Sequence, residues 1–509
     1  MKIAVIGAGF AGVAAVKTLT QFGHDVTGFE KAPDVGGVWS RVRRYPGLST
    51  QNNKGTYSLI EMPYPKHYPE WPSGTQVQEY LAGYVRRFGI EDKIKVSTEV
   101  VHAELDESGP QPRWTVTYRP VESRFGGESE PAGPEESEVF DYVVVANGIF
   151  SQPFLPPYPG REEFEAAGGR LCAPSDVRDL AEIEGKNVLV VGYGKSGCDI
   201  ASAVAESSAS TTVVARHLLW KLPKKLMGKL NFKYLMLNRL GEALFEYRRP
   251  TPVEKFLHGP GKPVRNGMIN TVQGVAVKQL KLKEHDLVPE GSFDRIARST
   301  VSLTTDGFYE KVAEGKLQVL RETEIVRLYA EDGKPMAELS TGERRPADVV
   351  IAATGWKQGV PFLDDEVTQR LTDDRGNFEL WRYILPHDVP GLAFCGYNSS
   401  FFSPLSAELG ALWIANHLMG HSVMPEVEQR RELVAERLRW MEERTEGKHA
   451  RGTNIIPFSM HNIDELMRGL GLKISPLQRF KEWLLPVSPQ DYAWVIKALL
   501  RRKEGKQSR

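Results

Sequence analysis

The first twelve residues constrain the fold of this 509-residue chain more than any other stretch. The apolar run 3–6 predicts a buried parallel strand, and it leads into a Gly-x-Gly-x-x-Gly motif at Gly7, Gly9 and Gly12. In this motif the first glycine permits a tight turn, the second lets the backbone approach a pyrophosphate, and the third lets a helix pack on the strand. The helix that follows offers backbone N–H groups to phosphate oxygens. The chain therefore begins with a predicted dinucleotide-binding unit.

Two features after the glycine motif support this prediction. A second apolar run, 26–29, ends in Glu30, the acidic residue expected about twenty positions after the motif to bind a ribose hydroxyl. Gly36 and Gly37 then precede Trp39, and adjacent glycines before an aromatic residue suggest backbone packed against a flat ligand. A plain turn is the alternative interpretation of these two glycines.

A second nucleotide-binding unit is predicted from residue 187 onwards. The apolar run 188–191 leads into another Gly-x-Gly-x-x-Gly motif that starts at Gly192, and the next strand, 212–215, ends in Arg216 instead of an acid. An acid would repel a 2′-phosphate, whereas arginine binds it with two hydrogen bonds. The unit is therefore expected to prefer NADPH over NADH, with a solvated basic loop as the alternative.

The remainder of the chain is predicted in less detail. The buried run 348–352 resembles the strand that ends before Gly148, so the chain is expected to return to the first unit there. A helix is predicted over 405–418, and charged helices over 421–509 are expected to form a C-terminal cap. Residues 226–247 also have a helical pattern.

The composition narrows the range of partners and sites. Lys plus Arg and Asp plus Glu both number 65, so the zero net charge gives no reason to expect a nucleic-acid partner. Three cysteines without a Cys-x-x-Cys pair, and scattered histidines, predict neither a metal site nor a dithiol redox site. No run of about 18 apolar residues predicts a transmembrane span, and a chain that starts directly on a strand leaves no room for a signal peptide. A cytoplasmic protein is therefore expected.

Together the motifs resemble those of the flavin-containing monooxygenases, the class B flavoprotein monooxygenases, over most of residues 1–420. The resemblance rests on both glycine motifs, the segments 29–31 and 36–39, Met-Pro-Tyr-Pro at 62–65 and Ala-Thr-Gly at 353–355. It implies an α/β fold with two Rossmann-like dinucleotide-binding domains, an FAD domain with an inserted NADPH domain, and a C-terminal helical region. The expected boundaries are 1–160 and 326–420 for the FAD-binding domain, 161–325 for the NADPH-binding domain and 421–509 for the helical region.

The resemblance also implies a chemistry. Members of this family use NADPH to reduce FAD, trap O2 as a C4a-(hydro)peroxyflavin and pass one oxygen atom to a small-molecule substrate. We expect N- or S-oxygenation of such a substrate. The alternatives are Baeyer–Villiger oxidation of a ketone to an ester and, from another class, a non-oxygenating flavin reductase or a redox-sensing flavoprotein. The sequence leaves open whether the chain forms a homo-oligomer.

Two departures from the family pattern bear on the active site. The family fingerprint Phe-x-Gly-x-x-x-His-x-x-x-Tyr, which ends in Trp in Baeyer–Villiger relatives, corresponds to residues 167–177, where only Gly169 is kept. The active-site Asn of the family corresponds to Gln51, with Asn52 beside it. We therefore expect Gln51 and Asn52 to be the catalytic polar contacts near the reactive edge of the flavin.

The other expected site residues contact the two cofactors, and no metal-binding residue is expected. In the segments assigned to FAD they are Gly7, Ala8, Gly9, Phe10, Ala11, Gly12, Glu30, Lys31, Gly37, Val38, Trp39, Val100, Tyr397 and Glu408. In the segments assigned to NADPH they are Gly192, Gly194, Lys195, Ser196, Gly197, Asp199 and Arg216.

Overall fold

Two five-stranded parallel sheets organise the structure, a computed structural model that describes residues 1–297, 302–447 and 450–505. Each sheet contains the strand that precedes one glycine motif. We call the first sheet with its helices the first unit and the second sheet with its helices the second unit.

The strands belong to these two sheets or to smaller sheets and ribbons, which are antiparallel except for the parallel pair of Lys221–Leu222 and Ser302–Leu303. In chain order they are β1 (Lys2–Ile6), β2 (Asp25–Phe29), β3 (Ile94–Lys95), β4 (Thr98–Asp106), β5 (Arg113–Ser123), β6 (Ser129–Pro131), β7 (Glu136–Phe140), β8 (Tyr142–Val145), β9 (Gln152–Pro153), β10 (Arg170–Cys172), β11 (Asn187–Val191), β12 (Ser210–Ala215), β13 (Lys221–Leu222), β14 (Lys225–Leu226), β15 (Leu230–Asn231), β16 (Ser302–Leu303), β17 (Gln318–Arg321), β18 (Ile325–Glu331), β19 (Lys334–Leu339), β20 (Arg344–Pro346), β21 (Val349–Ala352), β22 (Trp356–Lys357), β23 (Leu380–Trp381), β24 (Leu385–Pro386) and β25 (Leu392–Phe394).

The α-helices pack on the two sheets and continue beyond them at the C-terminal end. In chain order they are α1 (Phe10–Gln21), α2 (Gly74–Phe88), α3 (Arg161–Ala166), α4 (Lys195–Val204), α5 (Lys233–Met236), α6 (Arg239–Ala243), α7 (Pro252–His258), α8 (Lys262–Gln279), α9 (Phe308–Ala313), α10 (Asp365–Leu371), α11 (Ser403–Leu418), α12 (Val427–Thr445), α13 (Ser459–Gly469), α14 (Pro476–Leu484) and α15 (Ala493–Lys503).

The first sheet has the strand order β25-β8-β1-β2-β3, with β1 in its centre. β1 pairs in parallel with β2 on one side and with β8 on the other. Ile3 and Val5 enter one hydrophobic core, and Ala4 and Ile6 enter the core on the opposite face. A parallel strand covered on both faces needs such a continuous apolar run, so the strand predicted at 3–6 is confirmed.

The second sheet has the order β10-β21-β11-β12-β17, and β21 lies next to β11. The expected return of the run 348–352 to the first unit is therefore wrong, because β25 is the strand that pairs with β8. The two sheets are alike in sequence at this point because both need small residues beside a glycine loop: Ala146 faces Gly7, and Ala353 faces Gly192. The division into domains by residue number otherwise stays a prediction.

Residues 226–247 do not form the predicted helix. β14 and β15 make a hairpin, and the short helices α5 and α6 follow. The hairpin turns at Met227 and Gly228, whose φ angles of 50° and 71° are incompatible with a continuing right-handed helix. Asn238 then caps α6 by accepting the Gly241 N–H at 2.8 Å. Local turn and cap residues therefore interrupt a pattern that resembles one long helix.

The C-terminal region is helical, as predicted. α11, α12, α14 and α15 correspond to predicted helices, and α13 is an additional one. α11 packs against α1 and α13, so this region continues the core of the first unit. No helix in the described ranges combines the length and the apolar character that crossing a membrane requires.

Candidate active site

Close backbone contacts shape the first glycine loop. Gly7 has a φ angle of +106°, and a Cβ at this position would lie 2.5 Å from the Ala146 carbonyl oxygen. A Cβ on Gly12 would lie 1.8 Å from the Gly7 carbonyl oxygen. The first and third glycines are therefore required by the turn and by the packing of the helix on the strand.

The second glycine loop repeats this geometry. Gly192 has a φ angle of +112°, and its Cβ would lie 2.6 Å from the Ala353 carbonyl oxygen. A Cβ on Gly197 would lie 2.2 Å from the Gly192 carbonyl oxygen. A Cβ on Gly194, by contrast, would meet no atom of the described residues within 4 Å. The middle glycine borders open space, where a dinucleotide pyrophosphate would fit.

Both loops lead directly into the N-terminus of a helix. Gly9 is the N-cap of α1 and Gly194 is the N-cap of α4, and neither helix has a side-chain cap. The backbone N–H groups of a first turn can then bind an anion. These donors and tight turns fit the pyrophosphate of FAD at the first loop and, together with the open space at Gly194, that of NADPH at the second. The residues that begin the helices are Phe10 and Ala11 in α1, and Lys195 and Ser196 in α4.

Glu30 follows β2 and holds the first loop in place. Its Oε2 accepts the Ala8 N–H at 2.7 Å, and its Oε1 accepts the Ala32 N–H at 2.8 Å. Burial raises the pKa of Glu30, while the two N–H donors and the nearby Arg43 oppose the shift. The carboxylate lies at the end of β2, where the motif predicts ribose recognition, and half-buried Lys31 follows it.

The double glycine packs against the first loop. A Cβ on Gly37, whose φ angle is +58°, would lie 3.1 Å from the Gly9 Cα. Val38 is half-buried and Trp39 is buried in the same short 3-10 turn. The segment forms one wall of the first loop, and contact with a ligand there stays a prediction.

Glu408, an expected FAD contact, is fully buried in α11 and is bonded to other parts of the protein. Its Oε2 accepts the Ile60 N–H at 2.5 Å, and its Oε1 accepts the Tyr84 hydroxyl at 3.3 Å. Burial raises the pKa of Glu408 to about 7, and the nearby Lys17 opposes the shift. The structure therefore uses this carboxylate to join α11 to the segment before α2.

Tyr397 and Val100, also expected to contact FAD, lie in the hydrophobic core on one face of the first sheet. Tyr397 packs against Phe378 and Phe394, and its hydroxyl donates to the Gly359 carbonyl at 3.4 Å. Val100 lies in β4 and is buried in the same cluster. Contact of these two residues with FAD stays a prediction.

Gln51 and Asn52 lie in the irregular segment between Trp39 and α2 and contact different elements. The Gln51 Oε1 accepts the Leu303 N–H at 3.4 Å, and Leu303 belongs to β16 in the chain of the second unit. The Asn52 Nδ2 donates to the Phe401 carbonyl just before α11. Of the two expected catalytic amides, Gln51 is the one whose side chain lies where the two units touch.

Tyr45 makes a second contact between the units, and the sequence gives no signal for it. Its hydroxyl donates to the Ser196 Oγ in the first turn of α4 at 3.0 Å. Tyr45 lies in the same irregular segment as Gln51, where no periodic pattern indicates which side chains face the second unit. The segment 45–53 therefore lies between the two predicted cofactor sites.

Lys195 and Asp199, both expected to contact NADPH, form a buried ion pair with each other. Asp199 also accepts a hydrogen bond from the Thr305 hydroxyl at 2.5 Å. Burial lowers the pKa of Lys195, and Asp199 opposes the shift. The pair therefore stabilises the first turns of α4 and is largely neutralised.

Arg216 follows β12 at the position where an acid or a cation selects between coenzymes. Its side chain is 69% exposed, and its Nε lies 3.5 Å from Glu324. The guanidinium is thus placed at the strand end and open to a phosphate. Within the described residues no three His, Cys, Asp or Glu side chains form a group that could hold a metal.

A basic side chain that follows β12, that of Lys221, is buried near the contact between Gln51 and Leu303. The Lys221 Nζ donates to the Tyr193 carbonyl at 2.9 Å and to the Ser302 Oγ at 3.2 Å. Ser302 precedes Leu303, the residue that contacts Gln51. The buried Lys221 side chain therefore bonds to the residue next to the one that contacts Gln51.

Comparison with known proteins agrees with this architecture. The chain is 25% identical to flavin-containing monooxygenase 3 of Oryctolagus cuniculus over 97% of its own length and 89% of the relative. It is 24% identical to a probable flavin-containing monooxygenase 1 of Arabidopsis thaliana over 96% of each protein.

Solved structures share the fold at lower sequence identity. The S-allyl-L-cysteine S-oxygenase of Allium sativum superimposes with a TM-score of 0.60 at 18% identity, covering 99% of this chain and 93% of that one. A cyclohexanone monooxygenase has a TM-score of 0.64 at 17% identity and coverages of 99% and 98%. These likenesses confirm the α/β fold with two Rossmann-like domains and a C-terminal helical region.

The sequence model of the FMO-like family, described as flavin-binding monooxygenase-like, matches residues 1–480. That range contains both glycine loops, Glu30, Arg216 and the segment between the units. The resemblance inferred from the motifs is thereby confirmed. The chain belongs to the flavin-binding monooxygenase-like family and is a flavin monooxygenase that uses FAD and NADPH.

Proposed function

We propose that this enzyme transfers one oxygen atom of O2 to a nitrogen or sulfur atom of a small organic substrate. In this proposal the first loop and Glu30 hold FAD, and the second loop and Arg216 hold NADPH. When bound, the flavin accepts hydride from NADPH and activates O2, so that chemistry belongs to the cofactor. The protein holds both nucleotides, positions the substrate and excludes water.

The observation that carries this proposal is the neutral amide at the contact between the units. The Gln51 carboxamide accepts the Leu303 N–H and carries no charge. An amide does not remove a proton near neutral pH, so a reacting oxygen beside it keeps its proton and remains electrophilic. Such an oxygen suits electron-rich nitrogen and sulfur atoms. Asn52, fixed to the Phe401 carbonyl, supports the position of this segment.

The names of related proteins support the same class of reaction. The relatives from Oryctolagus cuniculus and Arabidopsis thaliana are named flavin-containing monooxygenases, and the Allium sativum protein is named an S-oxygenase. Structural neighbours also include a cyclohexanone monooxygenase and a steroid monooxygenase bound to NADP. These two names keep oxidation of a ketone as a second candidate.

One observation favours this second candidate, Baeyer–Villiger oxidation. Lys221 is 1% exposed and donates to Ser302, next to the residue that contacts Gln51. A buried cation near the reacting atoms would stabilise negative charge on an oxygen, and an anionic oxygen attacks a carbonyl carbon. Lys221→Met would then abolish ester formation.

Product analysis distinguishes the candidates. The FAD-loaded enzyme is supplied with NADPH and O2 together with methyl phenyl sulfide or cyclohexanone. We expect the sulfoxide and no lactone, with one NADPH consumed for each product molecule. Lactone without sulfoxide would establish the Baeyer–Villiger alternative. NADPH oxidation with an added electron acceptor but without either product would indicate a non-oxygenating reductase.

Variants of the amide pair test the site assignment. Gln51→Ala should lower the fraction of NADPH electrons that reach product and increase release of hydrogen peroxide. Asn52→Ala should do the same and also lower the melting temperature, because the bond to the Phe401 carbonyl is lost. Gln279→Ala, which removes an amide from α8, is the matched control and should leave coupling unchanged. Normal coupling and turnover in both the Gln51 and Asn52 variants would contradict the assignment.

A further inference from the structure

A charged cavity of about 490 Å³ shares no lining residue with either glycine loop. Its walls come from residues 247–251, from β23 and from the helices α12, α13 and α14. The cavity therefore lies between the long segment that follows β12 and the C-terminal helices. Nothing in the proposed oxygenation uses it.

Arginine side chains dominate the lining. They are Arg248, Arg249, Arg382, Arg468 and Arg479. The side chains of Arg248 and Arg382 are 8% and 16% exposed, whereas those of Arg249 and Arg468 are 55% and 66% exposed. The first two form the interior of the cavity, and the other two lie at its mouth.

Carboxylates compensate only part of this positive charge. Asp464 and Glu465 line the cavity, and Glu436 and Glu482 pair with its arginine network from outside. With Arg239, which binds Asp464 at 2.8 Å, the network holds six arginines and four carboxylates. The excess of two positive charges favours an anionic ligand.

His461 also lines the cavity without removing this excess. Its Nε2 lies 2.6 Å from Glu254, so the two side chains form a local pair. Burial raises the pKa of the neighbouring Glu242 to about 7, which reduces the negative charge of that carboxyl near neutral pH.

Three buried N–H groups of the lining have no hydrogen-bond partner among the described residues. They are the Nε of Arg248, the Nε of Arg382 and the indole Nε1 of Trp381. All three groups donate and none accepts. These unpaired N–H dipoles lie behind the cavity wall and add to its positive potential, which favours an anionic ligand further.

We propose that this cavity binds a small organic anion that carries a carboxylate or phosphate group. The volume falls in the range of roughly 300–1,000 Å³ that small-molecule sites occupy. Tyr247, Trp381 and Leu433 supply flat and apolar wall for the organic part of the ligand. The oxyanion binds against the positively charged wall that Arg248 and Arg382 form with the two arginines at the mouth. The ligand thereby joins the segment after β12 to the C-terminal helices.

Calorimetric titration of the FAD-loaded enzyme saturated with NADP⁺ tests the proposal, because the coenzyme then fills the phosphate sites of the two loops. The probes are phenyl phosphate, benzoate and the neutral benzyl alcohol. We expect saturable one-site binding of at least one anion and none of the alcohol. Preference for phenyl phosphate or for benzoate identifies the anionic group. If neither anion binds saturably, the proposal is wrong.

Matched variants locate the binding. Arg249→Gln with Arg468→Gln removes two cations at the mouth and should weaken anion binding at least tenfold. The control, Arg124→Gln with Arg344→Gln, removes two cations that are 61% and 57% exposed and also pair with single carboxylates elsewhere. Equal affinity in both double variants would place the anion outside the cavity and overturn the proposal.

Discussion

Replacing Arg216 by glutamine tests how the second unit selects its coenzyme. The Arg216 side chain is 69% exposed, and its paired carboxylate, Glu324, is 52% exposed at 3.5 Å. Exposed pairs of this kind contribute about 0–1 kcal/mol to stability. Arg216→Gln should therefore leave the melting temperature almost unchanged, so a change in coenzyme use would report binding and not folding.

The magnitude follows from the hydrogen bonds that the guanidinium offers. Hydrogen bonds to a charged group contribute about 1.5–3 kcal/mol, and each 1.4 kcal/mol corresponds to about a factor of ten in affinity. The KM for NADPH should rise roughly 10- to 100-fold in Arg216→Gln. The KM for NADH should stay unchanged, because NADH has no 2′-phosphate.

The assay is steady-state oxidation of NADPH and of NADH by the FAD-loaded enzyme. Arg327→Gln is the matched control, since Arg327 is 48% exposed and pairs with Glu338 at 2.9 Å on a different sheet. Its KM for either coenzyme should equal that of the wild type. An equal rise for both coenzymes in Arg216→Gln, or no rise for NADPH, would refute the reasoning.

Three further predictions concern the loops and α11. Gly192→Ala should lower the melting temperature because its Cβ would lie 2.6 Å from a carbonyl oxygen. Gly194→Ala should have a normal melting temperature but bind NADP⁺ less tightly. Thermal unfolding with and without NADP⁺ distinguishes the two variants. Glu30→Gln loses one of two accepted backbone bonds, so FAD should be released faster on dialysis, and full FAD retention would argue against its role. The folded-state pKa of Glu408, about 7, lies above its ordinary value of 4.5, so ionisation lowers stability as the pH rises through this window. The free energy of unfolding should therefore fall less steeply with rising pH in Glu408→Gln than in the wild type. An equal slope in the two proteins would contradict this prediction.

The parts of the fold that the sequence predicts are those with a local physical signature. A buried parallel strand needs a continuous apolar run, and the turns after β1 and β11 need glycine because a Cβ would meet a carbonyl oxygen. Both requirements can be read within a dozen residues. They predict the two units, the first and third glycines of each motif and the acid-or-arginine difference between Glu30 and Arg216.

The contacts within the site depend on partners that are distant in the chain. Gln51 meets Leu303, and Glu408 meets Ile60, and no local pattern indicates either partner. Glu408 is predicted to contact FAD because it lies near the start of a helix that follows a strand. In the structure its carboxylate accepts a backbone N–H of the irregular segment, and contact with FAD stays a prediction.

The altered fingerprint illustrates the same difficulty. Ala173 occupies the position of the family histidine, is fully buried and donates its N–H to the Asp176 Oδ2 at 2.7 Å. Val177 occupies the final aromatic position and is also fully buried. Both residues are small, apolar and buried in the core. Neither can provide the imidazole or the aromatic ring that the family fingerprint has at these positions.

The chain enters and leaves the second unit through one narrow ribbon, in which β9 and β22 pair antiparallel with Pro153 opposite Trp356. Because both covalent connections lie side by side, they define a hinge axis, and motion of the second unit is expected to be rotation about it. The Tyr45 and Gln51 hydrogen bonds join the two units away from this ribbon, so they would have to break during such a rotation. The rotation would change the distance between the two predicted coenzyme sites.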